Sequence, residues 1–206
     1  MKLVEESRGF EPYSHFFSHR SRRYHFRPNL KLLVALLPYL YNEGPPKRVI
    51  CPMAGVGAAP VMTLAFFRET TRVVVWEEDE FWRSVCLENL RRNSFCSGRY
   101  EVLPPDLWGE ADGAVLATAP KEKFSGVRRW YDELSRNLKA LSKSLVGGTI
   151  VIVSKRVDQG YREYVHTEDL ILSALHWNFP KASVEVVGEV EGKDEIRRPV
   201  FVIARA

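Results

Sequence analysis

Val49-Ile50-Cys51-Pro52-Met53-Ala54-Gly55-Val56-Gly57 is the stretch that decides the fold. Arg48–Cys51 reads as a short strand, and Ala54-Gly55-Val56-Gly57 supplies a glycine-containing turn after it. Pro60 lies early in the apolar stretch that follows, where a helix loses little by the missing N–H. Strand, glycine turn and helix in that order offer backbone rather than side chains to a ligand. A Cβ at Gly55 or Gly57 would hold such a ligand off.

Downstream, the pattern repeats. Residues 73–76 are a continuous apolar run, as expected of a strand covered on both faces. From Asp79 a helix carries Phe81, Val85, Cys86 and Leu90 on one side. Residues 100–103 and 114–117 read as the third and fourth strands. Trp130, Leu134, Leu138, Leu141 and Leu145 mark a further helix, and Gly147-Gly148 is expected to end it as a left-handed cap. Residues 149–153 form a fifth strand. Thr167 is expected to cap a helix containing Leu170, Ile171, Ala174 and Leu175, with Glu168 and Asp169 near its positive end. Residues 184–187 and 200–204 read as a closing strand pair. Upstream, Pro28-Asn29 opens a helix through Leu30, Leu33, Val34, Leu37 and Leu40, closed by Gly44-Pro45-Pro46. The alternation predicts five βα steps, right-handed crossovers and a mainly parallel sheet. In such sheets ligands lie outside the carboxyl ends of the strands.

At 206 residues, with no linker or repeat, the chain reads as one domain over 1–206, and 1–28 is an irregular basic-aromatic segment. The net charge of +4 is unevenly placed. Arg20, Arg22, Arg23 and Arg27 interleave with His19, Tyr24, His25 and Phe26, which suits phosphate contacts and base stacking, and equally a solvated surface. Further arginines gather at Arg91, Arg92 and Arg99, and at Arg128 and Arg129. The longest apolar run, 30–40, is broken by Lys31 and Pro38 and is too short for a bilayer. Glu5, Glu6, Arg8 and Glu11 occupy the place of a signal peptide's apolar region, so no membrane partner and a cytoplasmic location are expected. Cys51, Cys86 and Cys96 form no CxxC pair and read as buried free thiols, with no metal site. His15, His19, His25, His166 and His176 read as surface or packing residues.

Two acids stand at strand ends. Glu77 follows the second strand, 20 positions after Gly57, where a carboxylate can accept from two ribose hydroxyls. A dinucleotide-binding oxidoreductase would use the same arrangement, and a solvated acid within 77–80 is the plainer account. Asp106 follows the third strand, where a loop-capping role is the plainer account.

With these residues in view, the Cys51-Pro52-Met53-Ala54-Gly55-Val56-Gly57 string resembles the first motif of S-adenosylmethionine-dependent methyltransferases. The likeness is nearest to nucleic-acid amino-methyltransferases, which usually carry Asp-Pro-(Phe/Met)-Ala-Gly-x-Gly. Cys51 departs from that pattern, where an acid usually helps hold the methionine end of the cofactor. The run from Glu77 through Glu88-Asn89-Leu90-Arg91-Arg92-Asn93 resembles the acid and Asn-Leu-x-x-Asn run of RNA methyltransferases. The likeness extends over residues 28–206. It implies a Rossmann-like methyltransferase fold: α/β, with a mostly parallel seven-stranded sheet, helices on both faces and a terminal antiparallel strand pair.

The resemblance also implies S-adenosyl-L-methionine as cofactor, with Cys51, Gly55, Gly57, Glu77 and Asp106 around it. Asp106 would accept from the adenine amino group, with Leu107 or Trp108 near the ring. The family's (Asp/Asn/Ser)-Pro-Pro-(Tyr/Phe) loop aligns with Thr118-Ala119-Pro120-Lys121. Thr118 and Pro120 would flank the acceptor, with Thr118 accepting a hydrogen bond from the target amine. The stacking aromatic is replaced by Lys121, leaving Phe124, Trp130 or Tyr131 as substitutes. The implied activity is methylation of a nucleic-acid base, RNA ahead of DNA, with Arg20, Arg22, Arg23 and Arg27 as nucleic-acid contacts. A non-catalytic homologue binding nucleic acid or a partner subunit is the alternative, and a nucleotide-dependent oxidoreductase a further one.

Overall fold

The computed structural model describes residues 13–18, 30–41, 44–67, 71–118, 124–155, 157–158, 164–165, 167–186 and 199–205. Four parallel strands form its centre: β1 (Arg48–Cys51), β2 (Arg72–Val75), β3 (Tyr100–Val102) and β4 (Ala111–Ala117). β5 (Leu145–Lys155) continues them in parallel beside β4. A short antiparallel pair, β6 (Val157–Asp158) and β7 (Tyr164–Val165), stands apart from the main sheet. β8 (Ser183–Val186) and β9 (Pro199–Arg205) close the chain. The seven-stranded order is β3-β2-β1-β4-β5-β9-β8, with β9 antiparallel to both β5 and β8. This is the mostly parallel sheet and terminal antiparallel pair expected from the sequence.

Alternation along the strands sorts the core into two faces. Val49, Cys51, Val73, Val75, Val115, Ala117, Val151 and Val153 face α1 (Leu30–Leu36), α2 (Ala58–Phe66) and α3 (Glu80–Arg92). Ile50, Val74, Ala114, Leu116, Ile150, Ile152 and Ala204 face α4 (Phe124–Ser144) and α5 (Thr167–Asn178). The stripe Trp130, Leu134, Leu138 and Leu141 buries α4 along its length, at the i, i+4 and i+3 spacing of one helical face. After α1 the chain tightens into a 3-10 turn, Leu37–Leu40, with Pro38 at its start. Proline has no N–H to continue the α ladder.

Two expectations are corrected. The third βα step has no α-helix: β3 passes to β4 through the 3-10 turn Pro105–Leu107, so four steps carry helices rather than five. Trp108 fills the space on that face; it is fully buried, and its Nε1–H donates to the Leu103 carbonyl at 2.9 Å. The Gly147-Gly148 pair does not cap α4, which ends at Ser144. It lies instead where the β4–β5 register shifts, between the pairs Ala111–Leu145 and Gly113–Thr149. Gly147 has φ 65, and a Cβ on Gly148 would lie 2.5 Å from the Asp112 carbonyl oxygen. A bulge between two strands needs these glycines as much as a helix end would. α5 begins at Thr167, with Glu168 and Asp169 in its first turn.

Because Trp108 replaces a helix, its removal opens the α4 side of the sheet. Trp108→Ala is expected to lower unfolding free energy by about 3–5 kcal/mol in urea titrations. A loss below about 1 kcal/mol would show that this face closes without it.

Candidate cofactor and acceptor site

The carboxyl ends of β1 and β2 are stitched together beyond their last strand residues. Trp76 N–H donates to the Cys51 carbonyl at 3.1 Å, and Ala54 N–H donates to the Trp76 carbonyl at 3.0 Å. The chain then reverses through three left-handed residues, Met53 (φ 52), Gly55 (φ 53) and Gly57 (φ 87). Gly57 N–H donates to Ala54 O at 2.7 Å, and Gly57 is the N-cap residue of α2. Met53 holds a conformation that costs a residue with a Cβ roughly 1–2 kcal/mol. Its side chain is buried in the core, which holds it there.

Glu77 reaches into this loop. It is only 7% exposed; one carboxylate oxygen accepts the Gly55 N–H at 2.7 Å and the other accepts the Asp79 N–H at 3.1 Å. A carboxylate has about four acceptor positions, so two remain for a ligand. Burial raises its pKa, while the Gly55 and Asp79 hydrogen bonds act in the opposite direction. Asp79 in turn caps α3, accepting from Trp82 N–H at 3.2 Å.

The two glycines differ. A Cβ at Gly55 would meet nothing within 4 Å, whereas one at Gly57 would sit 3.0 Å from the Cys86 sulfur and 3.3 Å from its Cα. The open position is therefore Gly55. The expectation that Gly57 keeps its bare Cα for a ligand is corrected: that space is filled by α3.

Cys51 is corrected as well. Its side chain is fully buried among the α1–α3 core residues, where desolvation pushes the thiol far above its ordinary pKa. A neutral thiol facing the core does not replace an acid at a ligand's ammonium group. Asp106 stands exposed in the turn after β3, one strand over from Glu77. Leu107 beside it is 59% exposed, while Trp108 belongs to the core rather than to a ring pocket.

At the end of β4, Thr118 N–H donates to the Val153 carbonyl at 3.0 Å. Its hydroxyl oxygen accepts the Trp130 indole N–H at 2.9 Å, and both side chains are buried. One lone pair of Thr118 is thus already used, and Trp130 is a core residue rather than a stacking platform. Tyr131 is half-buried, with its hydroxyl 3.3 Å from that of Ser173. Pro120, Lys121, the Phe124 side chain, and Arg20, Arg22, Arg23 and Arg27 lie outside the described residues.

Four further side chains bear on this region. Ser154 follows Val153 on β5, beside Thr118, and its buried hydroxyl has no partner among the described residues. Glu133 stands on α4 one turn beyond Trp130. Burial, and then the charges of Glu77 and Glu78, push its carboxyl up to about 7 against the pull of Arg136 and Arg129. Arg136 also pairs with Glu78 at 2.9 Å, an exposed contact of little energetic weight. Asn89 and Asn93, noticed only as a run, turn out to bridge. Asn89 accepts from Ser18 N–H and donates to the Val56 carbonyl, each at 2.7 Å. Asn93 donates to the Phe16 and Asn89 carbonyls at 2.9 and 2.7 Å.

No protein-family model and no curated protein sequence matches the chain. Solved structures do. TrmN from Thermus thermophilus matches with a TM-score of 0.61 and 16% identity, over 90% of this chain and 51% of its own. A precorrin-6y C5,15-methyltransferase from Geobacter metallireducens matches with a TM-score of 0.61 and 13% identity, over 96% and 98%. TYW2 of P. horikoshii, in complex with MeSAdo, matches with a TM-score of 0.56 and 16% identity, over 89% and 65%. The fold is that of the Rossmann-like methyltransferases. The chain spans about half the length of the TrmN structure it matches.

The raised carboxyl of Glu133 predicts a pH dependence of stability. A carboxyl raised above its unfolded value contributes stability below that value and loses it as pH rises through about 7. Glu133→Gln, neutral throughout, is expected to gain on the wild type in melting temperature as pH rises from about 5 to about 8. A constant difference across that range would show that Glu133 carries no such shift.

Proposed function

We propose that the chain is an S-adenosylmethionine-dependent methyltransferase that modifies a nucleic-acid base, RNA ahead of DNA. The observation that carries this reading is the Glu77 carboxylate, buried at the end of β2 and bonded to Gly55 N–H. Its spare acceptor positions, beside a glycine whose Cβ direction is open, fit the ribose of an adenosyl group. The MeSAdo complex of TYW2, on the same fold, supports that choice of ligand. When bound, S-adenosylmethionine supplies a methyl group already activated on a sulfonium. The work left to the protein is to hold cofactor and acceptor in line and to exclude water.

In this reading Glu77 and Gly55 hold the ribose side, Gly57 shapes the loop, and Asp106 accepts from the adenine amine. Thr118 and Pro120 flank the acceptor. Thr118 keeps one lone pair and its hydroxyl proton after accepting from Trp130, so it can still orient an amine. The choice of a nucleic-acid acceptor rests on the likeness of the first motif and on the run Arg20, Arg22, Arg23 and Arg27 with its aromatics. The three buried free cysteines accord with a cytoplasmic setting. No helix among the described residues is long and apolar enough to cross a membrane.

A second reading is a non-catalytic homologue that binds nucleic acid or a partner subunit. The buried thiol of Cys51 and the occupied hydroxyl of Thr118 favour it. A nucleotide-dependent oxidoreductase is disfavoured by the antiparallel β9 between β5 and β8.

Radiolabelled methyl transfer onto total RNA and total DNA separates these readings. Transfer to RNA is expected. Thr118→Ser should retain it and Thr118→Val should lose it, with cofactor affinity little changed in both. Equal turnover by the two variants would remove Thr118 from the acceptor site. Tight cofactor binding with no transfer to either pool would favour the non-catalytic homologue.

A further inference from the structure

We propose that Asn89 is a positioning residue that couples occupancy of the glycine loop to docking of the N-terminal segment Tyr13–Ser18. The inference rests on the cofactor reading above. Asn89 lies on α3 and is fully buried. Its side-chain oxygen accepts the N–H of Ser18, 71 positions away in the chain. Its amide nitrogen donates to the carbonyl of Val56, the residue between Gly55 and Gly57.

Both ends of this bridge are anchored. On the loop side, Gly55 N–H is held by Glu77 at 2.7 Å and Gly57 N–H by Ala54 O at 2.7 Å. On the segment side, Phe17 is buried in the α1–α3 core, Phe16 packs edge-on against Phe95 at 5.2 Å, and Asn93 holds the Phe16 carbonyl. Asn89 therefore takes up one backbone group from each side with one planar amide. A shift of the Val56 carbonyl rotates that amide and moves the acceptor offered to Ser18.

A ligand seated against the glycine loop fixes Val56, and with it Asn89 and the Ser18 N–H. The ordering free energy of the segment is then shared with the ligand, which is cooperativity without a large structural change. By linkage the effect is reciprocal: a docked segment strengthens cofactor binding. In sequence, Ser18 stands two residues before Arg20, the first of the four arginines read as nucleic-acid contacts. The coupling thus predicts that cofactor and acceptor each strengthen the binding of the other.

Two variants dissect the bridge. Asn89→Asp keeps an oxygen for Ser18 N–H and removes the donor to Val56. Asn89→Ala removes both arms and introduces no charge. The readout is amide hydrogen exchange over residues 13–18 in the full chain, with and without saturating S-adenosylhomocysteine, whose binding is measured separately by calorimetry. In the wild type the ligand is expected to slow exchange there by roughly fivefold or more. In both variants exchange should no longer respond to the ligand, whatever its baseline. A purely structural role for Asn89 would raise the baseline and leave the ligand response intact, and that result would overturn the proposal. Ligand binding to the wild type with no change in exchange would overturn it equally. An absence of binding in calorimetry would overturn the cofactor reading itself, and the coupling with it.

Discussion

One charge-assisted hydrogen bond, from the Gly55 N–H to the Glu77 carboxylate at 2.7 Å, joins the two strand ends around which the site is built. A carboxylate with 7% exposure cannot remain charged without partners. Here it takes them from backbone, at Gly55 and at Asp79, so the acid and the loop define each other's position. The glycine loop stays open at Gly55 because its shape is enforced from behind. Cys86 packs under Gly57, Asn89 holds Val56, and the β2 end pairs with the loop at Ala54.

The parallel centre of the sheet makes that arrangement possible. β1 and β2 are neighbours in register from Arg48–Arg72 to Cys51–Val75, so their carboxyl ends emerge side by side. On the other face, α4 runs from the end of β4 to the end of β2: Trp130 touches Thr118, and Arg136 meets Glu78 about two turns later. Glu133 lies between those contacts, which explains why its carboxyl feels both Glu77 and Glu78. Trp108 closes the same face where a third helix would otherwise lie.

Much of this was legible in the sequence, for definite reasons. The strands announced themselves through unbroken β-branched runs such as Val73-Val74-Val75, since strands covered on both faces need no polar alternation. The glycine loop and the acid after β2 were visible because a left-handed turn after a strand selects glycine, and an acid stands out at the end of an apolar run. The misplaced features share a different character. Gly147-Gly148 satisfies a bulge as well as a cap, and only the β4–β5 register shift distinguishes them. Cys51 stands where the motif usually carries an acid, while the direction of its side chain depends on tertiary packing. Trp130 and Trp108 carry large apolar bodies that serve a core or a stacking platform alike, and local sequence does not separate the two. Asn89 and Ser18 are too far apart in the chain for any local pattern to join them.

The role proposed for Glu77 is to bind the ribose of an adenosyl cofactor. Calorimetric titration of S-adenosylhomocysteine into the wild type and Glu77→Ala tests it most directly, with circular dichroism confirming that the variant is folded. A carboxylate accepting from neutral hydroxyls contributes about 1.5–3 kcal/mol. The variant should therefore bind roughly 10- to 150-fold more weakly. Equal affinity of the two proteins would contradict the claim, as would a wild type that binds NAD and not S-adenosylhomocysteine.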